Sequence, residues 1–378
     1  MRAVQVVGYG EPVVVAEVPE PEVTGPEDVV VRVAGAGVCR TDLHIMDGGL
    51  AEAFAQTLPL TLGHENSGHV LAVGPAVRHL APGDPVIVHP AVTCGHCDGC
   101  RRGNDMHCRS WRFPGVDGRP GGYAELLRTS ARSLVRLPAG TDPAPLAPFA
   151  DAGLTAMHAV RRLAPFTGPD ATVVCLGSGG VGQVAIQLLR ILTTARVVVV
   201  EPDRDRAATA RRLGAHEVLA VPAEAAADAV LDLTAGRGAE AVLDLVGDGE
   251  VPAEAMRMLA KGAVYSVVGY GGGVRIEHLD LINRELTLMG NQIGSHGDLV
   301  DLMALVTSGR VALDTELFPL DDAAEVLRAV AGAASPAARC WCRSRTVPAR
   351  PGAPVRRKSG SGAGSTHPWV DPATTAPG

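Results

Sequence analysis

The sequence predicts an α/β protein in two parts, a β-rich domain and a doubly wound parallel sheet, and three observations carry that reading. Over residues 1–90, short apolar runs such as "DVVVRVAGAGV" and "GDPVIVH" alternate with Gly and Pro turns, as in a β-rich domain. From about Leu154 the rhythm changes to continuous apolar strands, "ATVVCLGSGG" and "ARVVVVEPD", separated by helix-patterned stretches such as "VGQVAIQLLRIL". Strands that are apolar on both faces and alternate with helices belong to a parallel sheet covered on two sides. Finally, 378 residues are long for a single core.

These patterns assign residues 1–153 and 291–334 to the β-rich domain, with a cysteine lobe at 94–108, and residues 154–290 to the parallel sheet. Residues 335–378 stand apart. From Arg339 onward the chain carries six Arg, one Lys and one Asp in a Pro-, Gly- and Ser-rich stretch without periodicity, which reads as disordered.

Bulk composition narrows the function. A net charge of −7 argues against nucleic acid as a partner. No apolar run approaches the roughly eighteen residues of a membrane span. The start "MRAVQVVGYGEP" lacks the apolar core of a signal peptide, so a cytoplasmic protein without a membrane partner is expected. Eight cysteines in a reducing compartment are then thiols or metal ligands rather than disulfides.

Four of them, Cys94, Cys97, Cys100 and Cys108, are spaced C-x2-C-x2-C-x7-C. Four thiolates complete a tetrahedral zinc shell, whereas a catalytic zinc keeps one position open; this cluster therefore predicts a structural zinc. A catalytic metal would sit elsewhere. "GVCRTDLH" supplies Cys39, and "TLGHENSGH" supplies His64 followed by Glu65. Cys175 lies inside a strand, and Cys340 and Cys342 lie in the tail, so a carboxylate is the better third ligand. Asp151 in "FADAGLTAMHA" lies where the two domains meet.

In "VVCLGSGGVGQVAIQLL", Gly177, Gly179 and Gly182 form G-x-G-x-x-G between a strand and a helix, the dinucleotide fingerprint of a Rossmann fold. The helix N-terminus would face a pyrophosphate. Glu201 closes the next strand, where a carboxylate binds the adenosine ribose hydroxyls and repels a 2′-phosphate. That favours NAD over NADP, although Arg204 and Arg206 are near enough to read a phosphate instead.

Together, GVCRTDLH, LGHENSGH, the four-cysteine lobe, DAGLT and LGSGGVG resemble the zinc-dependent medium-chain alcohol dehydrogenases, in order, from residue 1 to about 330. The Asp in DAGLT, in place of a cysteine, resembles the bacterial and archaeal NAD-dependent branch. The resemblance implies a GroES-like fold for the β-rich domain and two zinc ions per chain. It makes Cys39, His64 and Asp151 the catalytic zinc ligands. It places Glu65 beside that zinc, Asp42 behind His64, and Thr41 and His44 in a proton relay that includes the cofactor ribose. Arg40, Gly180, Val181, Arg206 and Val268 become cofactor contacts, and Thr155 a neighbour of the nicotinamide. A homodimer or homotetramer is implied as well.

The expected activity is hydride transfer between a primary or secondary alcohol and NAD. The alternatives are a related dehydrogenase of a polyol, an amino-acid alcohol or a formaldehyde adduct, and a non-catalytic protein that binds zinc and nucleotide. Phe54, Trp111 and the run Asn291–Ile293 line either a substrate pocket or a subunit interface.

Family members end in a strand resembling Gly-Arg-Ala-Val-Leu-Val-Pro, whereas this chain reads "SPAARCWCRSRTVPARPG". With Cys codons of a GC-rich gene, Arg339–Arg343 read from the third base of the Arg339 codon gives Val or Leu, then Leu-Val-Pro. We therefore expect a frameshift between about Ala329 and Pro336, with a disordered tail in place of the last strand; the other reading is a genuine basic tail.

Overall fold

The computed structural model describes residues 1–332 and 338–342. Its N-terminal part contains β1 (Arg2–Val6), β2 (Val14–Glu17), β3 (Asp28–Gly37), α1 (Arg40–Met46), β4 (Leu60–Thr61), β5 (Glu65–Val73) and β6 (Pro85–Val88). The cysteine lobe follows and holds one helical turn, α2 (Asp98–Arg101); β7 (Leu126–Ser130) and β8 (Leu134–Arg136) resume the strands. β2, β1 and β4 form a small antiparallel sheet.

The larger sheet of this part is built around β3. Val29, Val31 and Val33 are buried from its centre, and β5 pairs along its whole length with Gly37 opposite Glu65. At Gly35 a Cβ would fall 2.2 Å from the carbonyl oxygen of Ala144, so the close approach of the 144–150 turn requires glycine there.

The second part is the expected doubly wound sheet. In chain order it contains α3 (Ala152–Arg162), β9 (Thr172–Leu176), α4 (Gly180–Leu192), β10 (Arg196–Val200), α5 (Arg204–Arg212), β11 (Glu217–Leu219), α6 (Ala226–Leu233), β12 (Ala239–Asp244), α7 (Val251–Arg257), β13 (Leu259–Val267), α8 (His278–Arg284) and β14 (Thr287–Gly290). Six strands run parallel in the order β11-β10-β9-β12-β13-β14. Connections leave β9 and β12 in opposite directions, which opens a crevice beyond their carboxyl ends. Val173, Val174, Val198 and Val242 are wholly buried, as strands covered on two faces must be. No helix among the described residues is long and apolar enough to cross a membrane.

The chain then returns to the first sheet through α9 (His296–Thr307), β15 (Thr315–Pro319), α10 (Ala323–Gly332) and β16 (Ala338–Cys342). β16 corrects the sequence expectation. Residues 338–342 do not leave the fold: they pair parallel to β15 over five residues and antiparallel to Gly35–Gly37 of β3. Cys340 is buried there, its Sγ 3.3 Å from the carbonyl oxygen of Ala144. The physical reason is that a strand ladder is made by backbone. The neighbouring edges of β3 and β15 offer donors and acceptors to any β-compatible segment, and Cys-Trp-Cys is one. The rest of the expected tail, residues 335–337 and 343–378, lies outside the described residues.

Candidate metal centres and cofactor cleft

The register of β3 on β5 places the residues that follow β3 beside the one that precedes β5. Cys39 caps the N-terminus of α1, His64 precedes β5, Glu65 is its first residue, and Asp151 precedes α3. One ligand atom from each of these four lies within 4.8 Å of the others. His64 is buried between two carboxylates, Nδ1 3.5 Å from Asp42 Oδ1 and Nε2 3.3 Å from Asp151 Oδ2. Neither ring nitrogen makes a hydrogen bond, nor does Asp42 Oδ1. Buried polar atoms are normally satisfied, so this vacancy of partners marks a place for a cation.

The electrostatics agree. Burial works against a charge on His64, yet Asp42, Asp151 and Cys39 overcome it and raise the imidazole well above its ordinary range. Burial pushes the Cys39 thiol up, against the pull of His64, and holds the Glu65 carboxyl well above the usual range, with Asp151 adding to it. The cluster therefore retains protons where a divalent cation would replace them, and its thiolate, imidazole and carboxylate suit zinc with an open position.

The orienting contacts are specific. Asp42 Oδ2 accepts the Cys39 amide at 3.0 Å and the Tyr123 hydroxyl at 2.6 Å. Glu65 Oε1 accepts the Ala152 amide at 3.2 Å. The Thr155 hydroxyl donates to Asp151 Oδ1 at 3.3 Å, so it braces a candidate ligand. Phe113 meets the His64 ring edge-on, with Phe54 and Trp111 packed around it; this puts two residues expected at a pocket or interface beside the centre. In the run Asn291–Ile293, Asn291 donates to Ser266 Oγ at 2.8 Å, and Ile293 is buried.

Cys94, Cys97, Cys100 and Cys108 converge as their spacing predicts, with their sulfurs within 4.8 Å of one another. Cys108 Sγ accepts the amides of Cys94 and Ser110, each at 3.4 Å. Backbone amides of Cys100 and Arg109 bring the Cys97 thiol down to about 6, whereas burial pushes Cys100 up to about 12. Amide donors aimed at sulfur suit thiolates bound to a metal. Asp105, inside this lobe, accepts the His296 amide at 3.1 Å and so ties the lobe to the start of α9.

At the crevice, Gly177 has φ of +90° and makes the turn, and a Cβ on Gly182 would fall 2.5 Å from the Gly177 carbonyl oxygen. No neighbouring atom would lie within 4 Å of a Cβ on Gly179, and only Ala152 Cβ, at 3.9 Å, would meet one on Gly180, which leaves room above the loop for a phosphate group. Val181 lies in the first turn of α4, and Arg40 is exposed at the start of α1. Val268 follows β13 and donates its amide to Asp244 at 2.9 Å.

Glu201 differs from the simple expectation. It is buried, and both of its oxygens are engaged: Oε2 accepts the Ser178 amide at 2.9 Å and hydroxyl at 3.0 Å, while Oε1 accepts the Asp203 amide at 3.1 Å and pairs with Arg206 at 3.2 Å. It clamps the glycine loop to the end of β10. Arg204 is exposed, whereas Arg206 is turned toward Glu201.

Sequence reasoning missed two tyrosines, Tyr123 and Tyr270. The Tyr270 hydroxyl is 2.7 Å from Thr41 Oγ1, and its ring lies 5.2 Å from that of His44. No motif marks either residue, because both reach α1 only through tertiary contacts.

Comparison with known proteins gives the same picture. Residues 25–139 match the alcohol dehydrogenase GroES-like domain, and residues 180–308 match the zinc-binding dehydrogenase family. The chain is 34% identical to a D-arabinose 1-dehydrogenase (NADP(+)) of Saccharolobus solfataricus, over 83% of this chain and 89% of the relative. It is 30% identical to an NAD-dependent alcohol dehydrogenase of Sulfurisphaera tokodaii, over 86% and 95%. The crystal structure of an alcohol dehydrogenase from Aeropyrum pernix superimposes with a TM-score of 0.87 at 37% identity, covering 90% of this chain and all of that one. With its GroES-like and Rossmann-like parts and its thiolate, imidazole and carboxylate gathered beside a dinucleotide loop, the chain belongs to the zinc-dependent medium-chain alcohol dehydrogenase family of oxidoreductases.

Proposed function

We propose that the protein transfers hydride between a primary or secondary alcohol and NAD, giving an aldehyde or ketone. The observation that carries this is His64, buried with both ring nitrogens unpartnered between Asp42 and Asp151 and within reach of Cys39. Cys39, His64 and Asp151 would hold a catalytic zinc, and Cys94, Cys97, Cys100 and Cys108 a structural one. When bound, zinc supplies Lewis acidity to the substrate oxygen and the nicotinamide accepts the hydride.

The chain's own residues do the rest. Asp42 Oδ1, 3.5 Å from Nδ1, would orient the His64 ring electrostatically, with Nε2 turned toward Asp151 and the metal position. Thr155 braces Asp151, and Glu65 adds a further carboxylate that can approach the centre. Thr41 Oγ1, 3.5 Å from Cys39 Sγ, is a hydroxyl beside the ligand set that is not committed to a ligand carboxylate, and it takes the substrate proton. His44, one turn along α1, passes it to solvent. Phe54, Trp111 and Phe113 exclude water from one side.

NAD is favoured because a carboxylate, Glu201, stands at the end of β10 and pairs with Arg206, which would otherwise be available to a 2′-phosphate. A second reading, oxidation of a sugar or polyol with NADP, is supported by the 34% identity to the D-arabinose relative. A panel of alcohols, polyols and aldoses, each with NAD and with NADP, separates the two. No reduced nucleotide with any member of the panel would defeat both and favour a non-catalytic protein.

A homodimer or homotetramer is part of the proposal. Among the described residues β14 is the edge strand of its sheet, with Leu288 exposed, and Leu279 and Ile282 of α8 are each 68% exposed. Sedimentation at equilibrium tests it, and a monomer at micromolar concentration would refute it.

A further inference from the structure

We propose that Tyr270 is a positioning residue for Thr41, reaching across from the nucleotide-binding sheet to order the proton-handling pair on α1. This rests on the role given above to Thr41 and His44. The contact joins elements far apart in sequence: Tyr270 follows β13 of the parallel sheet, whereas Thr41 and His44 belong to the helix that follows β3.

Tyr270 stands on a fixed base. The amides of Val268 and Gly269 donate to the Asp244 carbonyl at 2.9 and 3.0 Å, and the Gly272 amide donates to that of Gly247 at 2.7 Å, so the backbone is anchored on both sides of the tyrosine. At Gly269 a Cβ would fall 2.3 Å from the Val246 carbonyl carbon, which admits only glycine and keeps the two loops in close contact. From that platform the phenol extends to Thr41 Oγ1 at 2.7 Å, while the ring packs at 46° against the His44 imidazole. The side chain is half exposed, so it is not packed there as core.

The consequence is geometric. A threonine hydroxyl turns about χ1, and among the described residues the other partner of Thr41 Oγ1 is the Cys39 sulfur at 3.5 Å, a weak one. A phenol at 2.7 Å selects one rotamer and one lone-pair direction. Because the phenol comes from the other sheet, the direction of the Thr41 hydroxyl is set jointly by both sides of the cleft.

Tyr270→Phe removes the hydroxyl and keeps the ring. We expect kcat to fall about tenfold with KM for the nucleotide unchanged within about twofold, and the loss to disappear in a Thr41→Val background, since both changes remove the same bond. In the nucleotide-free protein, amide hydrogen exchange over residues 268–273 should quicken in Tyr270→Phe, because the anchored loop loses its cross-cleft tie. Wild-type kcat and wild-type exchange in Tyr270→Phe would overturn the proposal, as would a tenfold loss that persists in the Thr41→Val background. Failure of the underlying reading looks different: Thr41→Val alone would then retain full kcat, while the exchange measurement would still report whether the tie exists.

Discussion

The Tyr123 hydroxyl lies 2.6 Å from Asp42 Oδ2, and both side chains are sealed from solvent. The same hydroxyl lies 2.9 Å from the Gly37 carbonyl oxygen, but it carries a single hydrogen, and the carboxylate is the stronger acceptor. Asp42 in turn faces His64 through its other oxygen, so a tyrosine with no ligand role stands directly behind the candidate metal centre.

The first prediction follows from that chain of contacts. Tyr123→Phe should lower stability by about 1.5–3 kcal/mol, the worth of a hydrogen bond to a charged group. It should also speed zinc release from the catalytic position. Asp42→Asn should weaken zinc binding there by roughly 10–100-fold. Chelator competition monitored by metal analysis checks both, and unchanged zinc retention in Asp42→Asn would remove Asp42 from its proposed role.

Two zinc ions with separable roles are the second expectation. Cys39→Ala should abolish turnover and leave a folded protein holding about one zinc per chain. Cys97→Ser should instead lower thermal stability, because a structural zinc contributes its binding energy to folding. Metal content, melting temperature and turnover measured on one sample decide it; full activity in Cys39→Ala is the outcome that sinks the assignment.

The third concerns the nucleotide. Wild type should prefer NAD over NADP by at least tenfold in kcat/KM, about 1.4 kcal/mol. Glu201→Gln should narrow that gap by releasing Arg206, and it should also loosen the glycine loop held through Ser178. A wild-type preference for NADP would mean that Arg204 or Arg206 reads a phosphate.

A fourth prediction uses Asp298, which accepts hydrogen bonds from Arg161 at 2.7 Å, His158 at 2.9 Å and the Ser295 amide at 3.0 Å. Burial alone would raise its carboxyl; His158, Arg161 and Ser295 outweigh it and hold the group well below the usual range. A folded value below the unfolded one stabilises at every pH above the unfolded carboxylate value, about 3.9, and the gain is lost as pH falls through the folded value. Asp298→Asn should therefore destabilise equally at pH 7 and pH 5 (roughly, by chemical denaturation), with the difference from wild type shrinking only below about pH 4. A penalty that already shrinks between those two values would contradict the sign.

The last prediction concerns the carboxyl end. Ending the chain after Gly332 should remove β16 and expose the facing edges of β3 and β15, lowering stability and promoting aggregation. Reading the gene anew tests the proposed frameshift. A shifted frame that lacks a Leu-Val-Pro ending, or that meets stop codons, would leave the basic tail as the genuine end.

The sequence by itself determined what is local. Cys94 to Cys108 must converge because the chain between them is short, and Gly177 and Gly182 can only serve a tight turn with a helix packed close against it. The alternation of buried strand and helix likewise needs no long-range information to announce a doubly wound sheet. Tertiary structure decided the rest. Cys39 and His64 meet because β3 pairs with β5 in the register that sets Gly37 opposite Glu65, and Asp151 joins them across the lobe boundary. Tyr123 and Tyr270 acquire roles only from what surrounds them. Glu201 proved to be a buried clamp as well as a candidate ribose ligand, because whether a carboxylate is free depends on neighbours that its own stretch does not name. Residues 338–342 became a strand because two open backbone edges were waiting for one: hydrogen-bonding geometry, rather than composition, settled their fate.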